Sequence, residues 1–436
     1  MIKIIKKHLL IFNSLIFITI LIVTLLNIQF TKYLYFFTLL LSLLNLYYSR
    51  NNIYQYIFNF FILIYELPLF YYFFKDVNIT QYSEFNNLIY YSKAQLIHSL
   101  FIFFYYIYSV NYKKKLTEPI KFNRIEYMFK HSNVGFYFWL SICLLVLLFG
   151  QTGSNVFEAE GYATGESSKS VIYEYFSVFY FLAFVFSKKR GLQVKVLHFL
   201  LFIYCFKSLL FGGRIEVVQI ILLNLYLLID QKLVKINVIK ITVLLFLGYY
   251  LNIIVGNIRN DPATIISYDY KKILNPLSFN EIKNVYYSNE GDVFYSSVRL
   301  VGLIENNYLS VFQRIESFFG FVASFFIPTS WLPSGASLLT FMKNDFESGG
   351  GGLISIYTFV WLGYLGPILI SYYLIKIFIK IQYTTSKYLF LYALLAVSTF
   401  PRWFAYNPLI LFKMCFWIIP LYIISNYIFI NNVKTK

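Results

Sequence analysis

Long apolar runs separated by short polar loops recur along most of this chain, and no other feature narrows its fold so far. A helix needs about 20 predominantly apolar residues to cross the hydrocarbon of a bilayer, and by that rule about twelve spans are expected. They fall near 9–27, 33–49, 53–74, 86–110, 133–150, 171–187, 193–211, 215–230, 236–256, 353–379, 388–400 and 406–430. In lipid every backbone polar group must find its partner within the protein, so runs of this kind specify helices. The expected fold is all-α, a polytopic membrane protein. Charged residues make up 13% of the chain against 59% hydrophobic ones, too little charge to coat a soluble body of this size. Three regions are expected: an N-terminal transmembrane bundle of about nine spans over 1–256, a large extracytoplasmic loop with amphipathic helices over 257–352, and C-terminal transmembrane helices over 353–436. Within the loop, 317–333 is apolar but holds Pro328 and Pro333, which suits a re-entrant or interfacial element better than a span.

The formal net charge of +17 would fit a nucleic-acid partner, but its distribution excludes that reading. Lys3, Lys6 and Lys7 precede the first expected span, and Arg50 follows the second. Lys113, Lys114, Lys115, Lys121, Arg124 and Lys130 crowd the loop after the fourth. Lys188, Lys189 and Arg190 follow the sixth, and Lys232 and Lys235 the eighth. Lys376, Lys380 and Lys387 follow the tenth, and Lys434 and Lys436 end the chain. All fall on one side if both termini are cytoplasmic, as basic loops of membrane proteins do. The N-terminus reads as a retained first span rather than a removed signal peptide, because no small-residue cleavage site follows its apolar run. Cys143, Cys205 and Cys415 lie inside apolar runs with no CxxC spacing, so neither a disulfide framework nor a zinc site is expected. The aromatic content of 22% is read as the codon bias of an AT-rich genome rather than as a sugar-stacking surface.

On the outer side the positive-inside rule predicts few arginines, so those present require a reason. Arg214 follows two glycines in FGGRIEVVQ and opens the next helix. Arg259 follows the ninth span, Arg299 and Arg314 lie in the amphipathic part of the large loop, and Arg402 lies in FPRWFAY between the last two spans. One such arginine is most simply an interfacial anchor or the partner of a carboxylate. Several at the mouths of helix pairs point to an anion site. A guanidinium gives bidentate, charge-assisted hydrogen bonds to phosphate oxygens and keeps its charge at any relevant pH. Helix N-termini beside Arg214 and Arg402 would add partial positive charge. The four histidines, His8, His98, His131 and His198, fall on the cytoplasmic side or within spans, which leaves the outer face without a histidine base. A proton acceptor there must be a carboxylate, water or a phosphate oxygen. Glu158, Glu160, Asp292, Glu305, Asp345 and Glu347 are candidates, each equally readable as a solvated loop charge. None forms an Asp-x-Asp pair, so no metal is expected. Glu216, two residues after Arg214, is a carboxylate at the edge of a span; it reads equally as functional and as solvated.

The segment FFIPTSWLPSGASLLT, the glycine-rich DFESGGGGLISIY after it, and a span with Gly363 and Gly366 in FVWLGYLGPIL resemble the Wzy-type O-antigen polymerases. The GGR before the eighth span resembles that family's GG-x-R turn, with the arginine one residue early. Arg299 and Arg402 stand where the family carries arginines. The resemblance covers roughly 200–420 and rests on topology and short motifs. It implies a GT-C-like glycosyltransferase, without cofactor, in the bacterial inner membrane. It implies that the growing glycan leaves undecaprenyl pyrophosphate and joins a new lipid-linked oligosaccharide at the periplasmic face, with a chain-length regulator as partner. It assigns Arg214, Arg299 and Arg402 to stabilising the leaving group. Arg259, Arg314, Glu216, Glu158 and Asp345 are then substrate-binding candidates.

Two other activities fit a chain of this kind. An O-antigen ligase shares the architecture and donor, but the ligases that bear comparison use an outer-face histidine. A lipid-linked oligosaccharide flippase would carry cations inside the bundle and an internal two-fold repeat. No repeat is visible, and the single large loop is asymmetric.

Overall fold

A computed structural model describes residues 2–80, 82–112, 124–151, 170–188, 191–210, 213–234, 237–260, 278–280, 285–338, 341 and 351–431. In chain order the helices begin with α1 (Ile2–Leu26), α2 (Thr31–Tyr48), α3 (Ile53–Glu66), α4 (Pro68–Lys75) and α5 (Leu88–Tyr112). Then come α6 (Arg124–Met128), α7 (Asn133–Phe149), α8 (Val171–Glu174), α9 (Phe176–Phe186), α10 (Leu192–Leu210), α11 (Arg214–Asp230) and α12 (Val238–Asn260). A short antiparallel pair, β1 (Ser278–Asn280) and β2 (Val285–Tyr287), sets Phe279 opposite Tyr286. It leads into α13 (Asn289–Glu305) and α14 (Val311–Ala323). The last helices are α15 (Ile354–Leu362), α16 (Leu365–Tyr383), α17 (Lys387–Ser398), α18 (Phe400–Ala405) and α19 (Leu409–Asn426).

Among the described residues, five helical segments are long and apolar enough to cross a membrane: Ile53–Lys75, Leu192–Leu210, Val238–Val255, Leu365–Tyr383 and Leu409–Ile430. Leu10–Leu26, Asn133–Phe149, Ile172–Phe186 and Lys387–Ser398 are apolar but shorter. Helix α12 exposes Ile239, Val243, Leu244, Phe246, Leu247 and Leu251 together. An apolar surface that wide suits hydrocarbon rather than water. The protein is therefore a helical, multi-pass membrane protein in a lipid bilayer.

Two expected spans are interrupted, although Ile53–Lys75 as a whole is still long and apolar enough to cross a membrane. The run 53–74 divides at Leu67, with Pro68 in the first turn of α4, where its missing N–H costs nothing. The run 353–379 divides at Gly363, whose φ of 60° and ψ of −151° lie in a region open essentially to glycine alone. Gly363 N–H still closes α15 by donating to Phe359 O at 2.8 Å, and the membrane-crossing length belongs to α16. After α14 the apolar stretch turns twice, at Thr329–Trp331 and Ser334–Ala336, each turn entered from one of the two prolines.

The chain forms two compact units, each assembled from distant parts of the sequence. The first comprises Met1–Glu118, Leu277–Ile379 and Phe404–Pro408. Here α5 packs against α2, α13 and α15, and α13 is buried along nearly its whole length. Asn52 caps α3 by accepting from Gln55 N–H and donates to Phe378 O at 2.9 Å. The second unit comprises Pro119–Pro276, Lys380–Trp403 and Leu409–Lys436. Its core is α9, buried from end to end except at Phe179 and surrounded by α7, α10, α11 and α19. Arg124, grouped by sequence with the solvated basic loop, is buried instead. Its Nε lies 2.8 Å from Asp230 Oδ1, and its guanidinium stands over the Phe390 ring at 4.7 Å. Asp230 also accepts from Ile125 N–H, so one carboxylate closes the start of α6 and neutralises its arginine.

Candidate functional site

Among the described residues, Arg402 and Arg299 each stand in a group of polar side chains, one group in each unit. In the second unit the chain leaves α17 at Thr399 and makes the short helix α18 before α19. Arg402 lies on that short helix. Its Nη2 is 2.7 Å from Glu174 Oε1, at the end of α8, and its Nη1 is 4.0 Å from Glu216 Oε1, in the first turn of α11. Gln219, one turn further along α11, donates to Thr399 O at 3.2 Å and ties α11 to the end of α17. Glu216 is thus buried against an arginine and not solvated. The Arg402 and Glu174 side chains remain 18% and 25% exposed, so the pair can still be reached. Arg214 opens α11 as the sequence indicates, and its Nη1 donates to Asn252 O of α12 at 3.1 Å.

In the first unit the cluster is built on α13. Ser288 caps its N-terminus by accepting from Gly291 N–H at 2.9 Å. A Cβ on Gly291 would run into Ile79 O, and one on Gly302 into the Phe85 ring, so these two glycines let the loop before α5 lie directly on the helix. That approach brings Glu84 to Arg299, whose Nη2 is 2.7 Å from Glu84 Oε2. The guanidinium side is fully buried, whereas the glutamate is 48% exposed. Tyr295, one turn before Arg299, donates its hydroxyl to Glu84 O. Burial pushes the Tyr295 phenol up to about 12, against the lowering effect of Arg299. Asp292 lies two turns before Arg299 on the same face. Burial raises its carboxyl to about 6, Glu290 adds to the rise, and a hydrogen bond with Thr80 opposes it. A carboxyl that titrates near neutrality is suited to accepting and returning a proton.

Arg314 is placed differently. Its Nε donates to Val360 O at 2.6 Å and its Nη2 to Phe359 O at 3.4 Å, so it caps the last turn of α15. Burial lowers its guanidinium, which stays charged all the same. Arg259 lies in the last turn of α12, with its side chain outside the described residues; Glu158 and Asp345 lie outside them altogether. Among the described residues no three His, Cys, Asp or Glu side chains are grouped as a metal ion would require.

Sequence reasoning named the arginines and Glu216 but missed Glu174 and Glu84. Glu174 had a signal, being the one carboxylate in the apolar run VIYEYFSVFYF. Glu84 had none, because it sits in an ordinary polar loop. Comparison with protein-family models, with curated proteins and with solved structures finds no match for this chain.

Proposed function

We propose that the protein is a Wzy-type polymerase, a GT-C-like glycosyltransferase of about twelve spans in the bacterial inner membrane with both termini cytoplasmic. It moves the growing glycan from undecaprenyl pyrophosphate to a new lipid-linked repeat unit at the periplasmic face. One observation carries the reading: Arg402, accessible and fixed between Glu174 and Glu216, puts an anion-binding fork beside a carboxylate. Glycosyl transfer asks for that pairing. The acceptor hydroxyl oxygen bonds to the anomeric carbon while the bond from that carbon to the phosphate oxygen breaks. The electron pair leaves with the pyrophosphate, and the hydroxyl proton passes to a carboxylate, here Glu174. Preorganised charge aimed at the leaving group is the largest single term in most catalysis of this type. A guanidinium suits two adjacent phosphate oxygens better than an ammonium does. Arg214, at the N-terminus of α11, adds charge to the same unit. Arg299 is buried in the first unit, where it serves as a positioning residue that holds Glu84.

The test is complementation of a deletion strain, with the surface glycan resolved on a gel and protein levels matched by immunoblot. A polymerase defect leaves a single repeat unit on the lipid core, whereas loss of a ligase or flippase leaves none. Arg402→Ala and Glu174→Gln are expected to give the single-repeat product, and Arg402→Lys a shortened ladder. A normal ladder in Arg402→Ala, or loss of all repeats in the deletion, would overturn the proposal.

A further inference from the structure

Glycosyl transfer at the arginine clusters makes no use of a second ionisable group, inside the first unit. Glu66, at the end of α3, and His98, midway along α5, are each only 1% exposed, and their Oε1 and Nε2 atoms lie 3.6 Å apart. Ser42 of α2 donates to Glu66 Oε1 at 2.9 Å, and Tyr35 of α2 donates to Glu66 O. On the other side His98 Nδ1 lies 3.2 Å from Ser355 Oγ of α15. A carboxylate and an imidazole this far from water are costly in a membrane protein and default to a functional reading.

A second observation points the same way. Glu66 Oε2 is buried with no hydrogen-bond partner among the described residues, as are both amide atoms of Gln95 and the hydroxyl of Tyr91. Tyr91, Gln95 and His98 follow one another at spacings of four and three on α5, so they share one face. That face covers about 10 Å of helix, at about 1.5 Å per residue. Its far end meets Asp292, which lies within electrostatic reach of Tyr91. Polar groups buried in this way are normally satisfied by internal water, and a water of that kind also bridges two side chains one turn apart. The elements around the pair contribute other ionisable groups, among them Tyr35 from α2, Tyr72 from α4, Tyr91 on α5 itself, Glu290, Asp292, Tyr295 and Arg299 from α13, and Tyr357 from α15. Arg299 keeps its charge, and the other groups are phenols and carboxyls.

We propose that Glu66 and His98 form an internal proton-binding site, reached from Asp292 along the polar face of α5. The O–H bond of Asp292 breaks and leaves a carboxylate. The proton passes through water beside Tyr91 and Gln95, and an N–H bond forms at His98 Nε2. The resulting imidazolium faces the Glu66 carboxylate. The ligand is a proton, and the site does not depend on the reading of the arginine clusters.

The experiment uses full-length protein labelled with 15N-histidine in lipid bilayers. The chain has four histidines, and the His98 signal is identified by its loss in His98→Asn. The pH is varied across the range in which the protein stays folded, and the wild-type ring nitrogens are expected to change protonation state in one step. Glu66→Gln should weaken proton binding at least tenfold, a midpoint shift of one pH unit or more. Ser355→Ala, a milder change that keeps the ion pair, should move the midpoint the same way by less. Gln95→Leu should slow exchange of the ring N–H with deuterated solvent at least tenfold and leave the midpoint in place. A His98 ring fixed in one state across the range would overturn the proposal. So would an unchanged midpoint in both Glu66→Gln and Ser355→Ala, or unchanged exchange in Gln95→Leu.

Discussion

Asp292 offers the sharpest test of the first unit. Its carboxyl rises from an ordinary 3.8 to about 6, mainly because α13 and the loop before α5 bury it. Between those values the folded protein holds a proton that the unfolded chain has already lost. Stability is therefore greatest at low pH and falls as pH rises through the window from about 4 to about 6; above it both states are ionised and the slope vanishes. A shift of about two units corresponds to about 3 kcal/mol. Asp292→Asn keeps an acceptor for Thr80 and removes the charge. The variant should match the wild type near pH 4 and exceed it by about 3 kcal/mol near pH 8, a gain on the order of a few degrees in Tm. The assay is thermal unfolding of the purified protein in lipid nanodiscs, followed by tryptophan fluorescence at several pH values. The comparison is the difference between the two proteins, because every other titrating group contributes equally to both. A difference that stays constant across the range would refute the argument, since it would mean that Asp292 is solvated.

Other consequences of the structure can be checked by the same unfolding measurement. Gly363→Ala should cost on the order of 1–3 kcal/mol although no atom lies within 4 Å of the new Cβ, because the backbone angles alone forbid it. Gly363→Asn should fail equally, since asparagine tolerates a left-handed turn but not this ψ. Asp230→Asn should cost about 3–5 kcal/mol by stranding the buried Arg124 guanidinium, and the double change Arg124→Met with Asp230→Leu should recover part of that loss. The Lys93–Glu305 pair joins α5 to the end of α13 but is 42% and 39% exposed. Breaking it with Glu305→Gln should change stability by less than about 1 kcal/mol, with the small effect disappearing at high salt.

Much of this protein was decided by hydrophobicity, which is a local property. The apolar runs specify helices in lipid wherever they occur, so the helical, multi-pass character was legible residue by residue. The start of α11 at Arg214 also follows from local chemistry, because two glycines precede it in the sequence and favour a helix end there; the break at Pro68 was not expected within the run 53–74. Gly363 was read as part of one span, since nothing in FVWLGYLGP shows that its backbone leaves the helix. The grouping of distant segments into two units is different in kind. Glu84 and Arg299 are 215 positions apart, and Glu174 and Arg402 are 228 apart. A hydropathy pattern carries no information about which helix packs on which. The sequence therefore determined that arginines stand at the ends of apolar runs and in the large loop between them. Only the tertiary structure decided that Arg299 is buried behind Glu84, that Arg314 closes a helix, and that Arg402 keeps an accessible edge between two carboxylates. The physical reason is that a guanidinium's role depends on which groups surround it, and those groups are brought there by long-range packing.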